Sequence, residues 1–200
     1  MKKITIVLLV LLFSIPTIAV ADVYQYADGT YSTPSGWTEI ASNSVSSLDH
    51  YYYYKWTIGD IAYVPSAVNI VFHHIRDWAV EPDQIAVYLK NSTGSPGWTS
   101  NSDNQSTSSP DWSIWSYLGL WSDPAGGSFY YDVVFTIPLL ADRTILANSN
   151  FFKIGIDPDC HYDLTKITID VAPIPEPATM LLLGSGLLGL AGFARRRFKR

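Results

Sequence analysis

Asp157-Pro158-Asp159-Cys160-His161-Tyr162-Asp163 gathers the densest set of chemically able side chains in the chain. Asp157, Asp159 and Asp163 bring hard carboxylate oxygens, the donors Ca2+ prefers. Cys160 and His161 are softer donors suited to Zn2+. A closed zinc site takes about four ligands, and the chain has no second cysteine to supply them. The spacing also lacks the mid-loop glycine and closing glutamate of an EF-hand. Two readings are open: a Ca2+ site at Asp157, Asp159 and Asp163, or a tight turn whose Asp side chains bond the local backbone.

Aromatic side chains form the second constellation. Trp112, Trp115, Tyr117 and Trp121 follow one another beside a polar stretch. Trp112, Trp115 and Trp121 would make a stacking platform for sugar rings if exposed, or would close a core if buried, since a tryptophan then needs a partner only for its N–H. The run Tyr51-Tyr52-Tyr53-Tyr54 invites the same two readings. His73 and His74 are sequence neighbours, so a regular strand sends them to opposite faces and they cannot chelate one ion together. One is expected near the core with a hydrogen-bond partner, the other outside.

Catalytic signatures are missing. There is no G-x-S-x-G elbow and no glycine-rich phosphate loop between a strand and a helix. Carboxylates are plentiful enough to furnish a glycosidase pair anywhere, and therefore discriminate nothing. The expectation is a protein that is not an enzyme.

The elements that must hold these residues are strands. Residues 50–58 are aromatic and β-branched, and alternation puts Tyr52, Tyr54, Trp56 and Ile58 on an inward face with Tyr51, Tyr53, Lys55 and Thr57 opposite. Residues 67–75 and 84–89 follow, the latter with Ile85, Val87 and Leu89 inward. Residues 129–137 and 166–171 complete the clear strands, and residues 139–146 are ambiguous with a short helix. Residues 91–112 are rich in Ser, Thr, Asn, Gly and Pro and read as one long surface loop. No stretch between the termini keeps a 3.6-residue apolar period. The fold expected is all-β: a single antiparallel β-sandwich over residues 22–172, jelly-roll-like.

The two ends are of another kind. Residues 1–21 have a basic start (Lys2, Lys3), an apolar core and Ala19-Val20-Ala21 before a cleavage point, the plan of a secretory signal peptide. At the other end, a proline spacer with Pro175-Glu176-Pro177 leads to an uncharged run at residues 178–194, of the length of a transmembrane helix. Arg195, Arg196, Arg197, Lys199 and Arg200 close the chain as a basic stop, which the positive-inside rule keeps cytoplasmic.

The tripartite tail of residues 173–200 closely resembles the PEP-CTERM sorting signal of Gram-negative bacteria. The resemblance rests on Pro175-Glu176-Pro177, the Gly- and Leu-rich helix and the Arg-rich end, and extends no further into the chain. It implies recognition by an exosortase, a membrane transpeptidase, after export through the Sec translocon and trimming by signal peptidase. The precursor would sit in the inner membrane through residues 178–194, and the product at the cell surface or outside the cell. It also implies an association with biofilm and exopolysaccharide machinery.

With these ends removed, residues 22–176 hold six of the thirteen Lys and Arg but all eighteen Asp and Glu, a formal charge of −12. Such a domain has no basic footprint for nucleic acid. Cys160 is alone and can form no intrachain disulfide. The functional expectation is an exported structural protein of the surface or extracellular matrix. The alternative is a surface-displayed carbohydrate-binding module using Trp112, Trp115 and Trp121, with Ca2+ as a stabilising cofactor and polysaccharide as partner.

Overall fold

The structure, a computed structural model, describes residues 21–59, 65–79, 83–92, 94–102, 112–123, 127–138, 151–173 and 183–187. The signal segment up to residue 20, the ambiguous residues 139–146 and the sorting residues from 174 onward, save 183–187, lie outside this set. Residues 183–187 are helical. Among the described residues no helix is long and apolar enough to cross a membrane.

Among the described residues, twelve strands build two antiparallel sheets: β1 (Asp22–Ala27), β2 (Thr38–Asn43), β3 (Ser47–Leu48), β4 (Tyr52–Ile58), β5 (Ala67–Asp77), β6 (Gln84–Asn91), β7 (Gly97–Ser102), β8 (Ser116–Ser122), β9 (Tyr131–Pro138), β10 (Phe152–Pro158), β11 (Tyr162–Asp163) and β12 (Lys166–Val171). Sheet I runs β1-β9-β5-β12-β2, with β11 and β3 continuing beside the far end of β5. Sheet II runs β7-β4-β10-β6-β8. The chain changes sheet at each step from β4 to β6 and again from β8 through β11, giving the sandwich a jelly-roll-like winding.

Period-two alternation explains the core between the sheets. Ile70 and Phe72 on β5, Val133 and Phe135 on β9, and Ile167 and Ile169 on β12 face Ile85 and Val87 on β6, Trp56 on β4 and Ile154 on β10, all buried in one cluster. The expected inward set Ile85, Val87 and Leu89 is buried as a whole.

Three readings need correction. Tyr52 opens β4 at the rim and is 41% exposed, so the inward set of that strand is Tyr54, Trp56 and Ile58. Tyr53, on the opposite face, is nevertheless buried, with the Lys55 ammonium 4.7 Å from its ring centroid. The polar stretch 91–112 is not one loop. Its middle is the edge strand β7, paired with β4 from Gly97 opposite Thr57 to Ser102 opposite Tyr52. An edge strand with few buried side chains carries no apolar alternation, and only Trp98, tilted against Tyr54 at 5.5 Å, ties it to the core.

The register defines two poles. Asp22 pairs with Thr136, Thr136 with Asn69 and Asn69 with Asp170, so the start of β1 and the end of β12 share one pole. The turns after β5, before β6 and after β10 crowd the opposite, distal pole. β5 alone spans the distance, roughly 35 Å at about 3.3 Å per residue.

Candidate functional site

The distal pole gathers two of the four buried carboxylates among the described residues, with two further Asp and a cysteine beside them. β5 ends on Asp77 and β8 is followed by Asp123, both fully buried. Asp83 stands just before β6, and Asp159 and Cys160 occupy the turn after β10. The Asp77 carboxylate accepts the N–H of Ala79 at 2.8 Å on Oδ1 and that of Asp83 at 3.4 Å on Oδ2. The Asp77 N–H donates to Asp123 Oδ2 at 3.2 Å, and the Asp123 N–H to the carbonyl of Asp83 at 3.3 Å. One ligating atom from each of Asp77, Asp83 and Cys160 lies within 4.8 Å of the other two.

Electrostatics decides what this group can do. Burial raises the Asp77 carboxyl above its ordinary value, and hydrogen bonds from Ala79, Cys160 and Asp83 oppose that rise. Burial, then the hydrogen bond to Asp83, pushes the Cys160 thiol up to about 12. The sulfur therefore keeps its proton at neutral pH and serves as a donor, not as a nucleophile or thiolate ligand. Bonded in this way, the group is a clasp that draws the ends of β5, β6, β8 and β10 together.

The three residues read as a Ca2+ set are not brought together. Asp163, on β11, forms an ion pair with Arg76 at 3.0 Å. Asp159 accepts the N–H of Gln84 and, at 3.3 Å, the hydroxyl of Tyr162. Asp157 lies on β10 beside Tyr88, whose hydroxyl titration it helps to raise after burial. Among the described residues the only group of at least three such ligands is Asp77, Asp83 and Cys160. The local turn reading fits Asp159, whose bonds hold the β10–β11 turn to β6. Asp77, Asp83 and Asp123 escaped the sequence reading because their meeting depends on strand pairing. The acidic connection between β5 and β6 was its one visible trace.

The tryptophans divide. Trp121 is 4% exposed, packed against Tyr131 and Tyr162, and its Nε1–H donates to Gln25 Oε1 at 2.9 Å. It is a core residue with its N–H satisfied, and cannot stack on a sugar. Trp115 is half-buried with the Lys90 ammonium 5.7 Å from its ring centroid. The Trp112 side chain is outside the described set.

A second polar network, on the outer face of sheet I, was not foreseen. Tyr31, from the β1–β2 connection, donates its N–H to Asp132 Oδ2 at 3.0 Å and its hydroxyl to Asp170 Oδ2 at 2.7 Å. Asn69 Nδ2 donates to the same hydroxyl at 3.1 Å, and its Oδ1 accepts from Thr136 at 2.8 Å. Asp170 Oδ1 is buried and has no partner. The signal available in sequence was the interruption of apolar strands by Asn69, Asp132 and Asp170.

The histidines follow the expectation, with a twist in the backbone. His73 is half-buried, its Nε2 2.9 Å from Thr168 Oγ1. His74 faces out, 2.8 Å from Asp28, and stacks on Tyr130 at 3.8 Å. The strand is irregular between them and Ile75, and His74 holds a positive φ of 55°.

At the opposite pole, Ala172 N–H donates to the Ala67 carbonyl at 2.9 Å and Ser66 Oγ to the Pro173 carbonyl at 3.0 Å. The spacer therefore leaves directly from the folded edge. The sorting residues Pro175, Glu176 and Pro177 and the basic stop of Arg195, Arg196, Arg197, Lys199 and Arg200 lie outside the described residues. The family model of the PEP-CTERM protein-sorting motif matches residues 173–197. No curated protein matches the chain.

Proposed function

We propose, from the premise that this is an exported protein sorted by a PEP-CTERM motif, that its sandwich is a non-catalytic structural component of the cell surface or extracellular matrix. Exosortase recognition belongs to the motif; Sec export, signal peptidase trimming and a biofilm or exopolysaccharide setting are parts of the proposal. One observation carries it. The carboxylate–thiol cluster of the distal pole is bonded to itself, with its thiol held protonated at Cys160, and so supports a scaffold in preference to a reactive site. The direct exit of the chain from β12 into the spacer supports display on a short tether.

The test is mass spectrometry of the protein recovered from the matrix and from the inner membrane. The expected matrix species begins at Asp22 and ends near Glu176 or Pro177. Recovery solely from the inner membrane, with Arg200 intact, would overturn surface sorting as the destination.

A further inference from the structure

The outer face of sheet II has a composition unlike the rest of the domain. Of its six Lys and Arg, Lys55, Lys90 and Lys153 stand together here. Lys153 on β10 is directly opposite Lys90 on β6, and Lys55 on β4 is opposite Gly155, one alternation along β10. Like charges directly opposite each other on adjacent strands cost stability. Residues 22–176 hold eighteen carboxylates, twelve of them at described positions, and none of those twelve forms an ion pair with any of these three lysines. Lys55 shows the strain: burial first, then Lys153 and Lys90, lower its affinity for a proton.

Aromatic rings are interleaved with the lysines. Tyr117 on β8 is 41% exposed and meets Tyr88 on β6 edge-on at 5.6 Å. Trp115 lies under Lys90, and Tyr53 under Lys55. Toward the distal pole the face continues into a shallow pocket bordered by Leu120, Ala86 and Asp157. Asp157 is the one carboxylate at the outward strand positions of this sheet among the described residues, four residues along β10 from Lys153.

We propose that the outer face of sheet II binds an anionic polysaccharide, a polyuronate-type chain whose carboxylates meet Lys55, Lys90 and Lys153 and whose sugar rings pack against Tyr117, Tyr88 and Trp115. Charge complementarity selects the occupant. Residues 22–176 carry a formal charge of −12, which repels polyanions, whereas this face concentrates three lysines that pair with no carboxylate among the described residues. The exposed Tyr117 ring, with the half-buried Tyr88 and Trp115 beside those cations, meets the apolar C–H surface that a pyranose offers and a simple anion does not. The face goes beyond surface placement, and its binding is measured on purified protein whatever the sorting route.

The experiment uses the full-length chain in detergent, with polygalacturonate as probe and neutral dextran as control. Binding to polygalacturonate and not to dextran is expected, weakening several-fold between about 50 and 300 mM salt as the charges are screened. K90Q/K153Q is expected to lower affinity at least tenfold while leaving the melting midpoint unchanged or higher, because it removes a like-charge pair. W115A and Y117A are expected to lower it several-fold. No binding of polygalacturonate, or full binding by K90Q/K153Q, overturns the proposal. So does equal affinity for phosphatidylglycerol vesicles or single-stranded DNA, which would reduce the face to a general polyanion patch. Self-association abolished by K90Q/K153Q in the absence of polygalacturonate would assign the face to a second copy and overturn it too.

Discussion

Cys160 is a lone thiol whose chemistry is decided by its neighbours. Its titration is raised from 9.0 to about 12 by burial and by the hydrogen bond to Asp83. A group raised in the folded state contributes stability that is complete below its unfolded pKa and is lost as pH climbs toward the folded value. The melting midpoint of the intact protein should thus fall between pH 8.5 and 10, and that of C160A should fall less over the same interval. The window stops at pH 10 because the buried tyrosines, Tyr162 and Tyr31 among them, begin to titrate in the unfolded chain there. Equal slopes for the two proteins would reject the clasp as drawn. Tyr31 offers a sharper case. Y31F removes the one donor that Asp170 Oδ2 holds, next to an Oδ1 that already has none. The loss should be about 1–3 kcal/mol, with part of it recovered by adding D170N, as chemical denaturation would show. Among the tryptophans, W121A should cost about 3–5 kcal/mol because it empties a core site. W115A should cost under about 1 kcal/mol, as its ring is half-exposed.

At the level of elements, β5 combines regular and strained backbone. Its first half alternates cleanly, with Val68, Ile70 and Phe72 inward, and then the register slips against β9 where His74 takes a positive φ. That slip aims the His74 N–H at Asp132 Oδ1, 3.1 Å away. H74G and H74A both delete the imidazole, but only glycine accepts the backbone conformation freely. H74G should therefore be the more stable by about 1 kcal/mol in thermal or urea unfolding, and equal stabilities would mean the bulge relaxes on substitution. What could be read in the sequence follows the same division. β6, β9 and β12 were legible because one face of each is apolar and the other is not. β7 was hidden, for an edge strand of Gly, Thr, Ser and Asn has no face to betray it. The sugar-platform reading of Trp121 failed for a related reason: alternation says that two residues share a face, and not which side of the sheet the core occupies. The distal clasp was illegible because Asp77, Asp83, Asp123 and Cys160 come from four separate segments joined only by sheet pairing.

Across the whole molecule, the polar arrangement is directional. The start of β1 and the end of β12 lie at one pole, and the carboxylate clasp lies at the other. A tethered molecule would hold the clasp away from its point of attachment, with the lysine face of sheet II along its flank. A cysteine placed at Ser128, exposed beside the distal pole, should react with a membrane-impermeant maleimide on intact cells, and protection of that site would reject this orientation. The placement of β12 has a mechanical consequence. β12 is the strand that continues into the spacer, and it is an interior strand, paired along Lys166–Val171 with β5 on one side and along Ile167–Val171 with β2 on the other. Tension on the tail pulls along this strand, so the ladder bonds on both flanks are loaded together and must slide past one another; an edge strand peeled from its end would give them up singly. Any pull transmitted through the tail is therefore met along the direction in which the sheet is hardest to open.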